Sequence, residues 1–426
     1  MKTEPERFDM TIPPQSTKWY LRPLTYLLSF PDRMLHGAKI TKRGTEDLKP
    51  PYLLLCNHNA FLDFKIATCA TFPHHASYVV AIDGFLGREK LLRDVGCICK
   101  RKFTDDLMLI RHLRTSVKNG DVVMIYPEAR YSLCGTTAVL PASLGKLCRL
   151  LKVPVVTLIC HGHHVNSPFW NTRNRGVSPT EAEFALQYTA EELAAATPDE
   201  INDRLLSVFQ YDDFAWQKER GIRITKPWRA EGLHKVLYQC PACGKEFEMG
   251  SEGTHIFCRA CGKRWEMTEL GELSAENGET EFSHIPDWYE WERANVRAEV
   301  ENGTYSSGEL PVTVDSLPNA ARFLPLGEGI LVHDMNGFRV SGTDTDGDPF
   351  LMEKPVSSLY SCHIEYDYAL TRHAKGDCVD LNTLTDTWYI FPHDKPFSVT
   401  KMALATEELY QKHRRDIGRP CKEGLA

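Results

Sequence analysis

Long apolar runs are missing from this 426-residue chain. No stretch approaches the roughly 18 uninterrupted apolar residues that a spanning helix needs, which excludes a multi-pass membrane protein. The apolar h-region of a secretory signal is absent too: the opening MKTEPERFDM carries acids at Glu4, Glu6 and Asp9. There is no internal repeat and no low-complexity tract. Cations are in deficit, with 50 Lys+Arg against 57 Asp+Glu and a net charge of −7. Charged residues at 25% and hydrophobic residues at 42% are ordinary for a folded chain and exclude a wholly disordered one. Cysteine is not scarce. Without an export signal, its 14 copies read as thiols in a reducing cytosol and not as a disulfide framework.

The charge is unevenly spread. Residues 1–164 hold 23 Lys+Arg and 14 Asp+Glu, a balance of +9, which leaves −16 for the rest. A basic first part suggests an anionic partner, such as phosphate or acidic lipid, although two domains of different surface composition would look the same.

Five segments are expected. Residues 1–49 form an N-terminal part. Within it, Trp19, Tyr20, Leu24, Leu27, Leu28 and Phe30 crowd beside Lys18, Arg22 and Arg33. Pro23 and Pro31 predict two short amphipathic helices, suited either to a membrane interface or to capping the next core. Residues 50–230 alternate short apolar runs (PYLLLCNH, ASYVVAI, DVVMIYP, VPVVTLIC) with helical stretches such as DDLMLIRHLRTSVKNG. That alternation predicts a layered α/β domain. Residues 231–275 are Cys-rich, residues 276–309 form a linker and a helix, and residues 310–426 read as β-rich with turns at Asn336-Gly337 and Asp346-Gly347 and a closing helix.

The chemistry centres on Asn57-His58 at the end of a strand, with Asp63 where a helix should begin. A strand end holds an imidazole rigidly, and a carboxylate five residues on can fold back onto one ring nitrogen. Further along come Gly96-Cys-Ile-Cys-Lys-Arg101-Lys102, then Tyr126-Pro-Glu128-Ala-Arg130-Tyr-Ser132, then Val153-Pro-Val-Val156. In this order, residues 50–165 resemble the lysophosphatidate/glycerol-3-phosphate acyltransferase (PlsC-like) family, whose blocks read NHxxxxD, G-x-I ending in Arg, FPEGTRS and VPV. The first block matches in full. In the third, Glu-Ala-Arg-Tyr-Ser stands for Glu-Gly-Thr-Arg-Ser, so Arg130 comes one position early. The resemblance implies transfer of a fatty acyl group from an acyl-CoA or acyl carrier protein thioester to the hydroxyl of a lysophospholipid. The acceptor it favours is 1-acyl-sn-glycerol-3-phosphate, in phospholipid biosynthesis. The protein would sit peripherally on the cytoplasmic face of a membrane. His58 would be the base and Asp63 its partner. Asn57, Arg101, Lys102, Glu128 and Arg130 would contact substrate.

Independently of the family, a neutral imidazole suits removal of a hydroxyl proton near neutral pH, and a carboxylate fixes its tautomer and steadies the imidazolium. His161, His163 and His164 lack an obvious acidic partner and read as loop or pocket residues.

Cys240-Pro-Ala-Cys243-Gly and Cys258-Arg-Ala-Cys261-Gly are paired knuckles with zinc-ribbon spacing. Four thiolates leave no open coordination position, so the expected zinc is structural, with rubredoxin-type iron as the alternative. Glu246, Glu248, Glu252, Glu266, Glu269 and Glu272 make this unit acidic and argue against nucleic acid. The C-terminal strands and closing helix resemble a PH/GRAM-like arrangement at the level of architecture only. The altered third block keeps a competing reading in view: a non-enzymatic membrane adaptor on a degenerate acyltransferase domain.

Overall fold

A computed structural model describes residues 5–422 and 424. Its first layer is a seven-stranded sheet of β1 (Lys39–Arg43), β2 (Leu53–Cys56), β3 (Ala76–Ala81), β4 (Ile98–Lys100), β5 (Val122–Ile125), β6 (Val155–His161) and β7 (Glu181–Tyr188). The spatial order is β1-β7-β6-β2-β5-β3-β4. β2 runs parallel to both β5 and β6, and only the β6–β7 pair is antiparallel. Leu53, Leu54 and Leu55 on β2 are wholly buried, as a central strand covered on both faces requires. The carboxyl end of β2 therefore lies in the middle of the sheet, where α/β folds gather ligands.

Two N-terminal expectations need correcting. The α/β domain begins before residue 50, because β1 supplies an edge strand paired with β7. Its sequence, KITKR, is too polar and exposed to show the apolar signature of a strand, and cations suit an unprotected edge. Residues 17–37 also form one main helix, Arg22–Leu35, after a single turn at Trp19–Leu21. Pro23 falls in its first turn, where no N–H is needed. Pro31 sits inside the helix, where it frees the carbonyl of Leu27 on an exposed face.

The Cys-rich unit is a four-stranded antiparallel sheet running from Met249–Glu252 to Leu273–Ala275. The C-terminal domain is a seven-stranded antiparallel sheet, Leu310–Ser316 to Thr387–Pro392, closed by the helix Val399–Asp416. The hairpin turns fall after Asp334 and Asp344, within a residue or two of the expected sites. Hydrophobic cores run across the segment boundaries. Leu133, Trp170 and Phe214 of the α/β domain share a core with Trp265 of the Cys-rich unit and with Val312 and Leu404 of the C-terminal domain.

Candidate active site

His58 follows β2 directly, and its neighbours are tied down on both sides. The Asn57 side chain bridges β2 to β6, donating to the Cys160 carbonyl at 2.9 Å and accepting from the Cys160 N–H at 2.8 Å. Asn57, expected to contact substrate, is wholly buried and braces the strand end. The His58 N–H donates to Glu128 Oε2 at 2.7 Å, and Glu128 Oε1 accepts from Ala138 N and from the Tyr211 hydroxyl. Glu128, 1% exposed, is a buried brace as well, and burial pushes its pKa up to about 7.

Asp63 lies in the first turn of the helix Leu62–Thr71. Its Oδ2 accepts from the N–H groups of Asn59 (2.6 Å) and Ala60 (2.9 Å) and stands 3.3 Å from His58 Nδ1. Its Oδ1 lies 2.6 Å from His163 Nδ1. Burial alone would raise the Asp63 pKa, but the hydrogen bonds from His163 and His58 outweigh it and hold the carboxyl near 2, so it stays ionised. With Nδ1 of His58 turned to Asp63, Nε2 is the nitrogen left for chemistry. The ring is stacked between Tyr126 (centroids 3.8 Å apart) and Tyr131 (4.1 Å). Burial lowers the His58 pKa, and the Asp63 bond opposes that only in part.

His58 opens onto a groove of about 720 Å³. One stretch of its lining is apolar, with Ile125, Leu109, Leu113, Leu144 and Leu147. Another is polar, with Asp83, Lys102, His363 and Glu365. A base beside a mixed apolar and polar groove can receive a lipid tail and a head group together.

The three expected phosphate cations fare differently. Arg101 is 1% exposed and outside the groove; its guanidinium is taken up by the carbonyls of Leu317, Pro318 and Thr385 and the hydroxyl of Thr387, at 2.6–3.1 Å. It is a joint to the C-terminal domain. Arg130 reaches the groove wall, but its charge is spent on buried Glu407 at 2.7 Å. The one-position offset explains this, because the next residue, Tyr131, takes the place against His58. Ala129 before it holds φ +55°, a left-handed turn that glycine adopts more readily. Of the three, Lys102 alone presents a cation to the groove, 3.6 Å from Asp83 and 3.5 Å from Asp380.

His163 was not foreseen as a site residue. It opens a one-turn helix after β6, and its partner Asp63 is 100 residues away in sequence. Only the sheet order, with β6 beside β2, brings them together.

The knuckle cysteines also converge. Cys240 and Cys261 sulfurs are 3.8 Å apart, as are those of Cys243 and Cys258. All four lie within 4.8 Å of one another. A tetrahedron with metal–sulfur bonds of about 2.3 Å has edges of about 3.8 Å, so the set fits a four-sulfur metal site. Gly244 and Gly262, both with positive φ, turn each knuckle back so that their N–H groups meet the Cys240 and Cys258 carbonyls.

Residues 39–161 match the family model Acyltransferase. This segment is an acyltransferase-family domain. Among solved structures, the chain is similar to the crystal structure of the 1-acyl-sn-glycerophosphate (LPA) acyltransferase, PlsC, from Thermotoga maritima, with 14% identity and a TM-score of 0.33 over 44% of this chain and 80% of that one. No curated protein matches. The matched segment spans β1 to β6 of the acyltransferase domain and contains His58, Asp63, Lys102 and Glu128.

Proposed function

We propose that this acyltransferase moves a fatty acyl group from a thioester of CoA or acyl carrier protein to the hydroxyl of a lysophospholipid, with 1-acyl-sn-glycerol-3-phosphate as the acceptor. The supporting observation is the chain His163–Asp63–His58 opening on an amphipathic groove. Neutral His58 Nε2 takes the proton of the acceptor hydroxyl as its oxygen attacks the thioester carbonyl. A tetrahedral adduct forms. It collapses with loss of the thiolate, which recovers a proton from the His58 imidazolium. Asp63 holds the tautomer and offsets the transient charge. Lys102, near His58 in the groove lining, offers a cation to a phosphoryl oxygen. No covalent enzyme intermediate is required.

The four-cysteine site would hold zinc in a structural role, since its donors are all sulfur and its shape is closed. A peripheral seat on the cytoplasmic face of a membrane would suit the lipid substrate. No helix among the described residues is long and apolar enough to cross a membrane. Trp19 (80% exposed), Leu27, Leu28, Met34 and Leu35 are exposed along the N-terminal helix region, and exposed Phe61 also lines the groove mouth. An exposed apolar face of this kind would seat the protein at the bilayer that holds the lysolipid.

The test uses purified full-length protein, acyl-CoA and 1-acyl-sn-glycerol-3-phosphate in mixed micelles. Free thiol and diacyl product are both measured. His58→Ala should lower turnover by about 10²–10⁴, the range for a general base, with the unfolding midpoint kept. A near wild-type rate for that variant would sink the proposal.

A further inference from the structure

The C-terminal domain does more than cover the acyltransferase domain. It places His363 and Glu365 in the lining of the groove that holds His58. His363 Nε2 lies 3.0 Å from the Lys102 ammonium, which has only protons to give, so the ring nitrogen accepts. His363 Nδ1 stands 2.7 Å from Asp380 Oδ2. Behind Asp380 the polar chain continues. Asn382 Nδ2 donates to Asp380 Oδ1 at 2.9 Å, Thr387 Oγ1 donates to Asn382 Oδ1 at 2.6 Å, and Arg101 Nη1 donates to Thr387 Oγ1 at 2.6 Å. The adjacent residues Arg101 and Lys102 therefore reach the two ends of one polar chain through the C-terminal sheet, hydrogen-bonded from Arg101 to Asp380 and from His363 to Lys102, and joined between them by the close approach of His363 to Asp380.

This chain sets where the ammonium points. Lys102 has one short bond, to His363. Its contacts with Asp380 (3.5 Å) and Asp83 (3.6 Å) are too long for full hydrogen bonds. The two carboxylates keep it charged against the cost of burial, and N–H donors remain for a ligand. A flexible lysine left alone would sample many rotamers. One held by a histidine that is itself held spends less entropy when it binds. His363, Glu365 and Asp380 could also be taken for a metal triad, but the Lys102 ammonium already fills the cation's place.

We propose that the C-terminal domain completes the active site, with His363 as a positioning residue that aims Lys102 at a phosphoryl oxygen of the acyl acceptor. This rests on the acyl-transfer reading above. It assigns a role in catalysis to a domain outside the segment matched by the family model.

Two substitutions separate the functions of the ring. In His363→Asn the amide nitrogen can stand in for Nδ1 and keep the tie to Asp380, but nothing reaches Lys102. In His363→Gln the amide oxygen can stand in for Nε2 and accept from the ammonium. Steady-state kinetics on the full chain, with acyl-CoA and 1-acyl-sn-glycerol-3-phosphate varied in turn, give the readout. His363→Asn should raise the acceptor KM about tenfold and leave the donor KM unchanged. His363→Gln should stay within about threefold of wild type. The double variant His363→Asn/Lys102→Met should be no worse than Lys102→Met alone, because one residue acts through the other. An acceptor KM for His363→Asn within twofold of wild type, or effects that multiply in the double variant, would overturn the proposal while wild-type transfer persists. Should the wild-type protein transfer to no lysolipid at all, the acyl-transfer reading falls first and this inference with it. If His363→Asn unfolds, Lys102→Met decides: an unchanged acceptor KM overturns the assignment.

Discussion

His163 and His58 hold opposite oxygens of one carboxylate, and the hidden histidine holds it more tightly. His163 Nδ1 is 2.6 Å from Asp63 Oδ1, against 3.3 Å from His58 Nδ1 to Oδ2. His163 is wholly buried and cannot meet substrate. In the proposed mechanism its work is to fix the carboxylate that fixes the base. His163→Ala should lower kcat by about 10- to 100-fold with little change in the acceptor KM, because misplacing the base costs orientation and not binding. Initial rates at saturating and limiting acceptor check this. An unchanged kcat would remove His163 from the machinery.

The pH profile follows from the burial of His58. The base must be neutral to accept a proton. Burial lowers its pKa below the ordinary 6.5, with Asp63 pulling the other way to a smaller extent. The sign is therefore clear: kcat/KM climbs with rising pH, reaches half its limit below pH 6.5, and is level above that. Asp63→Asn removes the upward influence, so its acid limb should sit lower still while the rate falls. Glu365, pushed by burial up to about 7, titrates nearby, so the profile is repeated in Glu365→Gln. Glu128, bonded to the His58 N–H, is likewise pushed by burial up to about 7, so the profile is repeated in Glu128→Gln too, and the limb that survives both substitutions belongs to His58. A midpoint above 6.5 in both variants would point to a different base.

The sequence carried the parts of the site that lie close together in it. His58 and Asp63 are five residues apart on a strand end and a helix start, so local geometry reveals them. The knuckles of Cys240 and Cys258 are equally local. His163 was illegible, because its carboxylate belongs to another strand's loop and only the β6–β2 pairing joins them. Arg101 and Arg130 misled for the same reason in reverse. Each has the chemistry of a phosphate ligand, but their partners lie more than 200 residues downstream: Leu317 for one, Glu407 for the other. The strand Lys39–Arg43 was hidden by its own polarity, since an edge strand need not show an apolar face.

Arg130 offers a direct test of that correction. It shares Glu407 with Arg293, whose Nη1 is 2.7 Å from the other carboxylate oxygen, and Ser361 donates to the same group. Arg130, Glu407 and Ser361 are all buried. Removing Arg130 leaves Glu407 Oε1 with Ser361 alone and unbalances the buried charges of the set. Arg130→Ala should cost about 3–5 kcal/mol in denaturant unfolding. The acceptor KM of the protein that remains folded should stay within about twofold of wild type. A large rise in acceptor KM without loss of stability would restore Arg130 as a phosphate ligand.

The four-sulfur site should be measurable without an assay. Metal analysis of the purified protein should find about one zinc per chain. Trp265 of this unit is fully buried and packs edge-on against Trp288, 5.0 Å away, on the helix Ile285–Glu301. Loss of metal is therefore felt beyond the ribbon. Cys258→Ser should abolish zinc binding and lower the unfolding midpoint by about 5 °C or more. A metal-free protein as stable as the loaded one would show that the thiols are idle, and iron in place of zinc would correct the assignment.

The proposed membrane seating would turn on the N-terminal helix. The face of Arg22–Leu35 that carries Tyr26 and Phe30 packs against Phe72, with Tyr26 donating to the Pro73 carbonyl. This leaves Leu27, Leu28, Met34 and Leu35 outward, at 60–79% exposure, with Arg33 on the same helix to meet acidic head groups. Burying one leucine is worth about 1.5–3 kcal/mol, so the pair Leu27→Ser/Leu28→Ser should weaken binding to vesicles of acidic phospholipid by at least about 100-fold. Salt should weaken the wild-type protein's binding only in part, since the apolar contribution is unscreened. The same variant should keep its rate on a short-chain acceptor dissolved as monomers, because none of the substituted residues lines the groove. Undiminished vesicle binding would mean that the helix is a cap on the domain and that lipid arrives by another face.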